Sequence, residues 1–204
     1  MTEAPDELTV YIVDDDPAVR DSLSLLLSLR GYRTATFATA EDFLAALQPR
    51  WRGCVIADIR MPGMSGLDLQ RELRARGLRL PVVIVTAHGD VASARAAFKS
   101  DAVDFLEKPF DDEGPIAAVE AAFGRERERL SRESDSRRHG ELLATLTERE
   151  RDVIALLVEG LHNVEVARRL GISPRTVEVH KARIMAKLGA RNLAELIRIF
   201  QGDA

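Results

Sequence analysis

Cys54 is the only cysteine in the 204 residues, so no disulfide can form within the chain. No apolar run is long enough to cross a bilayer: the leucine-rich stretch Leu23–Leu29 is broken by serines and flanked by arginines. The first eight residues carry Glu3, Asp6 and Glu7 where a secretory leader would carry positive charge. No internal repeat is present, which removes solenoids and propellers from consideration. The expected compartment is the cytoplasm, with no membrane contact.

What is there is an ordinary globular mixture, 46% hydrophobic and 30% charged, in a length that suits two small domains. The net charge of −4 is unevenly spread. Residues 1–124 hold 13 Lys/Arg against 20 Asp/Glu, whereas residues 125–204 hold 16 against 13. Between Arg168 and Arg191, seven basic residues face only Glu178. An acidic half joined to a locally basic half implies two tasks, the second on a polyanion.

In the first half, short apolar runs stop on polar residues. Val10–Val13 runs into Asp14, Asp15 and Asp16; Val55–Ala57 into Asp58; Val82–Val85 into Thr86; Val103–Leu106 into Glu107, Lys108 and Pro109. Thr34–Phe37 supplies a further strand. Helical patterns separate these runs. Asp16-Pro17 opens one with Val19, Leu23, Leu26 and Leu27 on a face, and Ala40–Leu47, a helix through Leu67, Leu69 and Leu73, Val91–Lys99 and Ile116–Phe123 follow. Five β-then-α units predict an α/β fold, a five-stranded parallel doubly wound (flavodoxin-like) sheet. Near-continuous Val/Ile strands suit burial on both faces. Ligands in such sheets bind at the carboxyl edge, which would gather carboxylates, a hydroxyl and a lysine in one pocket.

Arg125–His139, RERERLSRESDSRRH, offers almost nothing to bury and reads as a solvated linker or a helical extension of Ile116–Phe123. Thereafter the chain reads as four helices. Thr147-x-x-Glu150 is a capping box before a helix burying Val153, Leu156 and Leu157. Asn163 is expected to cap the second helix, which buries Val166, Ala167 and Leu170. Ser173-Pro174 starts the third, with Val177, Ile184 and Leu188 inward, and Asn192 caps the fourth, with a stripe of Leu193, Leu196, Ile197 and Phe200. The expected division is residues 1–124 for the α/β domain with the carboxylate pocket, 125–146 for a charged linker, possibly helical, and 147–204 for an all-α domain of four helices.

VYIVDDD, VIADIRMPGMSG, VVIVTAHGD and VDFLEKPF, in that order, resemble the receiver domain of two-component response regulators over about residues 9–123. LTERERDVIALLVEGLHNVEVARRLGISPRTVEVHKARIMAKLGARNLAELIRI resembles the LuxR-type helix-turn-helix domain over about 146–199, most specifically in GISPRTVEVH. Together they point to the FixJ/NarL class, closest to its FixJ-like branch. The resemblance implies phosphorylation of Asp58 by a partner histidine kinase and a Lys108-Pro109 peptide in the cis form. It also implies Mg²⁺ held by Asp14, Asp15, Asp58 and the backbone carbonyl of Arg60. Carboxylates and water are the ligands Mg²⁺ prefers, and crowding three carboxylates together calls for a cation. Lys108 would meet the phosphoryl oxygens, Thr86 would donate its hydroxyl, and Phe105 would change rotamer as the switch aromatic. The implied outcome is homodimerisation on the surface of Val91–Lys99 and the fifth strand, with control of transcription and contact with RNA polymerase.

Two positions depart from the family pattern: Ser100-Asp101, where a small residue and glycine are common, and Val164, where lysine is common. On the third helix, Glu178, Val179, Ala182 and Arg183 are expected nearest DNA bases, and Arg175, Thr176, Lys181 and Lys187 at phosphates. Several polar residues have plainer readings: Asp16 as a cap, His88 as a loop side chain, Cys54 and Phe105 as core, His180 as packing. Two other functions compete. Asp14-x-Asp16 fits the D-x-D pattern of haloacid-dehalogenase-like phosphatases with Asp14 as nucleophile, but this leaves Asp58 and the basic half unexplained. An inert receiver-like fold on a constitutive DNA binder is the other. The protein is expected to turn over no external substrate.

Overall fold

The computed structural model describes residues 8–86 and 102–202. His88, the expected helix at 91–99 and Ser100-Asp101 lie outside the described residues. The chain divides into two compact units, residues 1–129 and 130–204.

The first unit is built on five parallel strands, β1 (Thr9–Val13), β2 (Arg33–Phe37), β3 (Gly53–Asp58), β4 (Val82–Thr86) and β5 (Asp104–Glu107), in the order β2-β1-β3-β4-β5. Side chains alternate across each strand, and the alternation sorts the core into two layers. Tyr11, Val13, Val55, Ala57, Val82 and Ile84 point to one face, where Phe43 and Leu44 of α2 (Ala40–Ala46) and Leu69 and Leu73 of α3 (Gly66–Ala75) cover them. Val10, Ile12, Cys54, Ile56, Val83 and Val85 point to the other, beneath Leu23 and Leu27 of α1 (Pro17–Leu29) and Ile116, Val119 and Phe123 of α4 (Glu113–Ala144). This is the doubly wound arrangement. Each fully buried Leu, Ile or Phe contributes roughly 1.5–3 kcal/mol, so a charge at Ile56 or Ile84 would unfold the unit.

The linker reading needs correction at one place. Glu126, within the charged stretch, has no exposed surface, and Arg129 pairs with it bidentately at 2.8 Å for both contacts. The helix begun at Glu113 continues through Ala144, and Glu126 falls on its inward side. Burial of a carboxylate is tolerable only with such a partner.

The second unit holds α5 (Glu148–Val158), α6 (Asn163–Leu170), α7 (Pro174–Leu188) and α8 (Leu193–Gln201). Its core joins Val153, Ile154, Leu157, Val166, Ala167, Val177, Ile184, Leu188 and Leu196. Leu156 is only half-buried, and Ile154, two residues earlier, takes the inward place beside Val153 and Leu157. On α8, Leu193, Ile199 and Phe200 pack against this core beside Leu196. Gly171 ends α6 with φ +66°, the left-handed conformation that lets the chain turn at once into α7.

Candidate functional site

Strand register brings the first site together. Val13 pairs with Ala57, which sets Asp14 and Asp58 side by side just beyond the ladder. Asp58 pairs with Val85, so Thr86 lies one step further, and Thr86 pairs with Glu107, immediately before Lys108. Asp14, Asp58 and Thr86 are 2%, 5% and 2% exposed, so these polar groups are withdrawn from water. The Lys108 ammonium bridges the two acids, 2.6 Å from Asp14 Oδ2 and 2.8 Å from Asp58 Oδ1. The Lys108 backbone N–H donates to the Thr86 carbonyl at 2.6 Å, and Lys108-Pro109 is cis.

The remaining carboxylate oxygens are also engaged. Asp58 Oδ2 accepts from the Arg60 backbone N–H at 2.6 Å, and Asp14 Oδ1 from the Asp16 N–H at 2.9 Å. Asp16 caps α1 by accepting from Ala18 N at 2.8 Å, as its position before Pro17 implies. Asp15 is exposed. Phe105 is half-buried in β5, beside Ile84.

Burial raises the Asp14 carboxyl above its usual range, opposed by the hydrogen bonds from Lys108 and the Asp16 N–H. Burial pulls Lys108 downward, but its hydrogen bonds to Asp14 and Asp58 outweigh that and leave the ammonium more basic than usual. One ammonium between two buried acids leaves the pocket net negative, a balance that a divalent cation would offset before a phosphoryl group enters. Among the described residues no three His, Cys, Asp or Glu side chains already converge as a closed metal cage. The donor set nevertheless fits Mg²⁺, which binds through one or two carboxylates and keeps waters and phosphate oxygens as its other ligands.

The second site is on α7. Ser173 caps it, accepting from Thr176 N at 3.1 Å, and the two hydroxyls share a hydrogen bond of 2.8 Å. With Val177, Ile184 and Leu188 inward, Arg175, Glu178, Val179, Ala182 and Arg183 are exposed along the opposite side. Val179 is 43% exposed on that side, between Glu178 and the exposed Ala182 and Arg183.

The matches to known proteins agree with both geometries. Residues 10–120 match the response regulator receiver domain, and residues 144–200 match the bacterial regulatory proteins of the luxR family. The chain is 50% identical to the transcriptional regulatory protein FixJ of Azorhizobium caulinodans, over 96% of this chain and 92% of that one. It is 46% identical to the C4-dicarboxylate transport transcriptional regulatory protein DctR of Rhodobacter capsulatus, over 94% of this chain and 98% of that one. The chain belongs to the FixJ-like response regulators. The solved structure of the response regulator StyR superposes with a TM-score of 0.86 at 39% identity, covering 96% of this chain and 99% of that one.

In this FixJ-like regulator several contacts escaped the sequence. Arg20 Nη1 donates to the Asp14 carbonyl at 2.7 Å, steadying the strand end from one turn into α1. Gly66 opens α3 directly against Asp58, where a methyl group would overlap the Asp58 carbonyl oxygen. Asn163 is not the cap of α6. The helix begins one residue earlier because Glu165 reaches back to the His162 N–H at 3.0 Å, and the Asn163 amide instead donates to Glu178. Lys181 stands 3.6 Å from the same Glu178. Lys187 turns toward its own unit, 2.6 Å from Glu150 Oε2 and 3.0 Å from the Thr145 carbonyl. His180 is half-buried, with its Nδ1 enclosed. Among the described residues, no helix is long and apolar enough to cross a membrane.

Proposed function

We propose that this response regulator accepts a phosphoryl group on Asp58 from a partner histidine kinase, and that phosphorylation governs homodimerisation and sequence-specific DNA binding. The Lys108 ammonium bridging Asp14 and Asp58 is the observation that carries the reading. An Asp58 oxygen attacks phosphorus as the bond to the kinase's histidine nitrogen breaks, and the histidine leaves with its electron pair. Lys108 can leave Asp58 and follow the charge onto the phosphoryl oxygens, while the nearby Thr86 hydroxyl donates to one of them. Asp14, Asp15, Asp58 and the Arg60 carbonyl would hold Mg²⁺, which neutralises phosphoryl charge when bound. Phe105, paired with Ile84 in the sheet, would change rotamer as Thr86 shifts. The phosphoryl group stays on the protein, so nothing external is turned over.

On DNA, Glu178, Val179, Ala182 and Arg183 read bases, while Arg175, Thr176 and Lys181 contact phosphates. Lys187 joins them only by leaving Glu150. RNA polymerase is the further partner implied by transcriptional control, and the cytoplasm is the compartment.

Incubation with acetyl phosphate and Mg²⁺, followed by mapping of the acid-labile acyl phosphate, tests the acceptor. Label on Asp58, lost in Asp58→Asn, is expected. Label on Asp14 that survives Asp58→Asn would overturn the assignment in favour of a phosphatase-like nucleophile.

A further inference from the structure

The first unit has a second cavity, at the edge of the sheet opposite Asp58. It lies where the loop after α3 enters β4, bounded by the residue before β5 and by α4. Its volume is about 520 Å³, within the usual range of small-molecule sites. Arg74, Arg79, Arg125 and Arg129 line it, and no Asp or Glu does. This is unexpected in the half of the chain whose acids outnumber its bases 20 to 13.

Arg79 and Arg125, from the loop after α3 and from α4, bring like charge to one hollow, which an anion would offset. Arg129 is fixed in the wall by its bidentate pairing to the fully buried Glu126. Arg79 and Arg125 have no carboxylate partner among the described residues. Planar forks of this kind match phosphate oxygens two at a time. Two forks carried on separate elements, the loop before β4 and α4, suit linked phosphates better than a single small anion. Leu78 and Leu80, both half-buried, add an apolar wall that would suit a flat heterocycle. We infer that this cavity binds a nucleoside polyphosphate, with Arg79 and Arg125 gripping the phosphates and the leucines facing the base.

ATP is the probe, titrated calorimetrically into the full chain carrying Asp58→Asn, so that the acceptor aspartate contributes no reaction. Saturable binding is expected, weakened by at least about tenfold in Arg79→Gln/Arg125→Gln. The same titration in Arg175→Ala/Arg183→Ala should match the parent, because the polyanion-binding helix of the second unit is a separate basic site. Both arginines of the first pair are exposed, so that variant should melt at the parent temperature, and its circular dichroism checks that it does. Tripolyphosphate should bind more weakly than ATP, since it leaves the leucine wall unused. Absence of saturable binding, equal affinity in Arg79→Gln/Arg125→Gln, or loss confined to Arg175→Ala/Arg183→Ala would overturn the inference. Tripolyphosphate binding as tightly as ATP would overturn the nucleoside assignment.

Discussion

Lys108 settles the electrostatics of the first site, since two buried acids depend on one ammonium. Removing it leaves Asp14 and Asp58 facing each other without a cation, a loss of about 3 kcal/mol for a broken buried pair. Lys108→Ala should therefore melt early in chelator and regain much of its stability with Mg²⁺, a larger rise than Mg²⁺ gives the parent. Differential scanning calorimetry with and without Mg²⁺ measures this, and equal rises would contradict it. At the second site, Asn163 determines how Glu178 is presented. Asn163→Ala should lower discrimination at one base pair of each half-site by about 1 kcal/mol while leaving the salt dependence unchanged. A panel of single-base operator substitutions would read it. Asp14, Asp58, Thr86 and Lys108 were legible as strand endings because strands buried on both faces are unbroken Val/Ile and stop abruptly. Asn163 was not: an asparagine before a helix reads as a cap, and only the competing reach of Glu165 shows otherwise.

At the scale of elements, the junctions between helices and strands carry the constraints. Gly66 permits α3 to start against the Asp58 backbone, so Gly66→Ala should displace Asp58 and slow its phosphorylation while leaving DNA-unit stability untouched. The rate of acetyl phosphate labelling tests this. In the second unit, α5 and α7 are clamped by Glu150 and Lys187. The hydrogen bond from Lys187, opposed by burial and helped by Thr147, holds the Glu150 carboxyl below its usual range. A lowered folded-state value means the stabilisation is present above the ordinary 4.5 and is lost as pH falls through the folded value. Glu150→Gln should cost roughly 1–2 kcal/mol at neutral pH and flatten the acid limb of the unit's stability profile. Unfolding curves across pH would show it. The capping box was readable from Thr147 and Glu150, but the clamp was not, because its partner lies 37 residues away. Glu126 was equally opaque. In a stretch reading RERER, only the phase of α4 against the sheet decides which charge turns inward.

Across the whole molecule, acids predominate in the first unit and bases in the run from Arg168 to Arg191. Phosphate contacts should make DNA affinity fall steeply with salt, and Arg175→Ala or Lys181→Ala should each reduce the log–log slope by about 0.9. The central claim is that the chemistry at Asp58 governs what α7 does on DNA. Its most direct measurement is operator affinity at one fixed salt concentration, with and without acetyl phosphate and Mg²⁺, for the parent and for Asp58→Asn. The account expects tighter binding on phosphorylation in the parent and no response in Asp58→Asn. Equal affinity in the parent before and after stoichiometric phosphorylation would contradict it and leave a constitutive DNA binder.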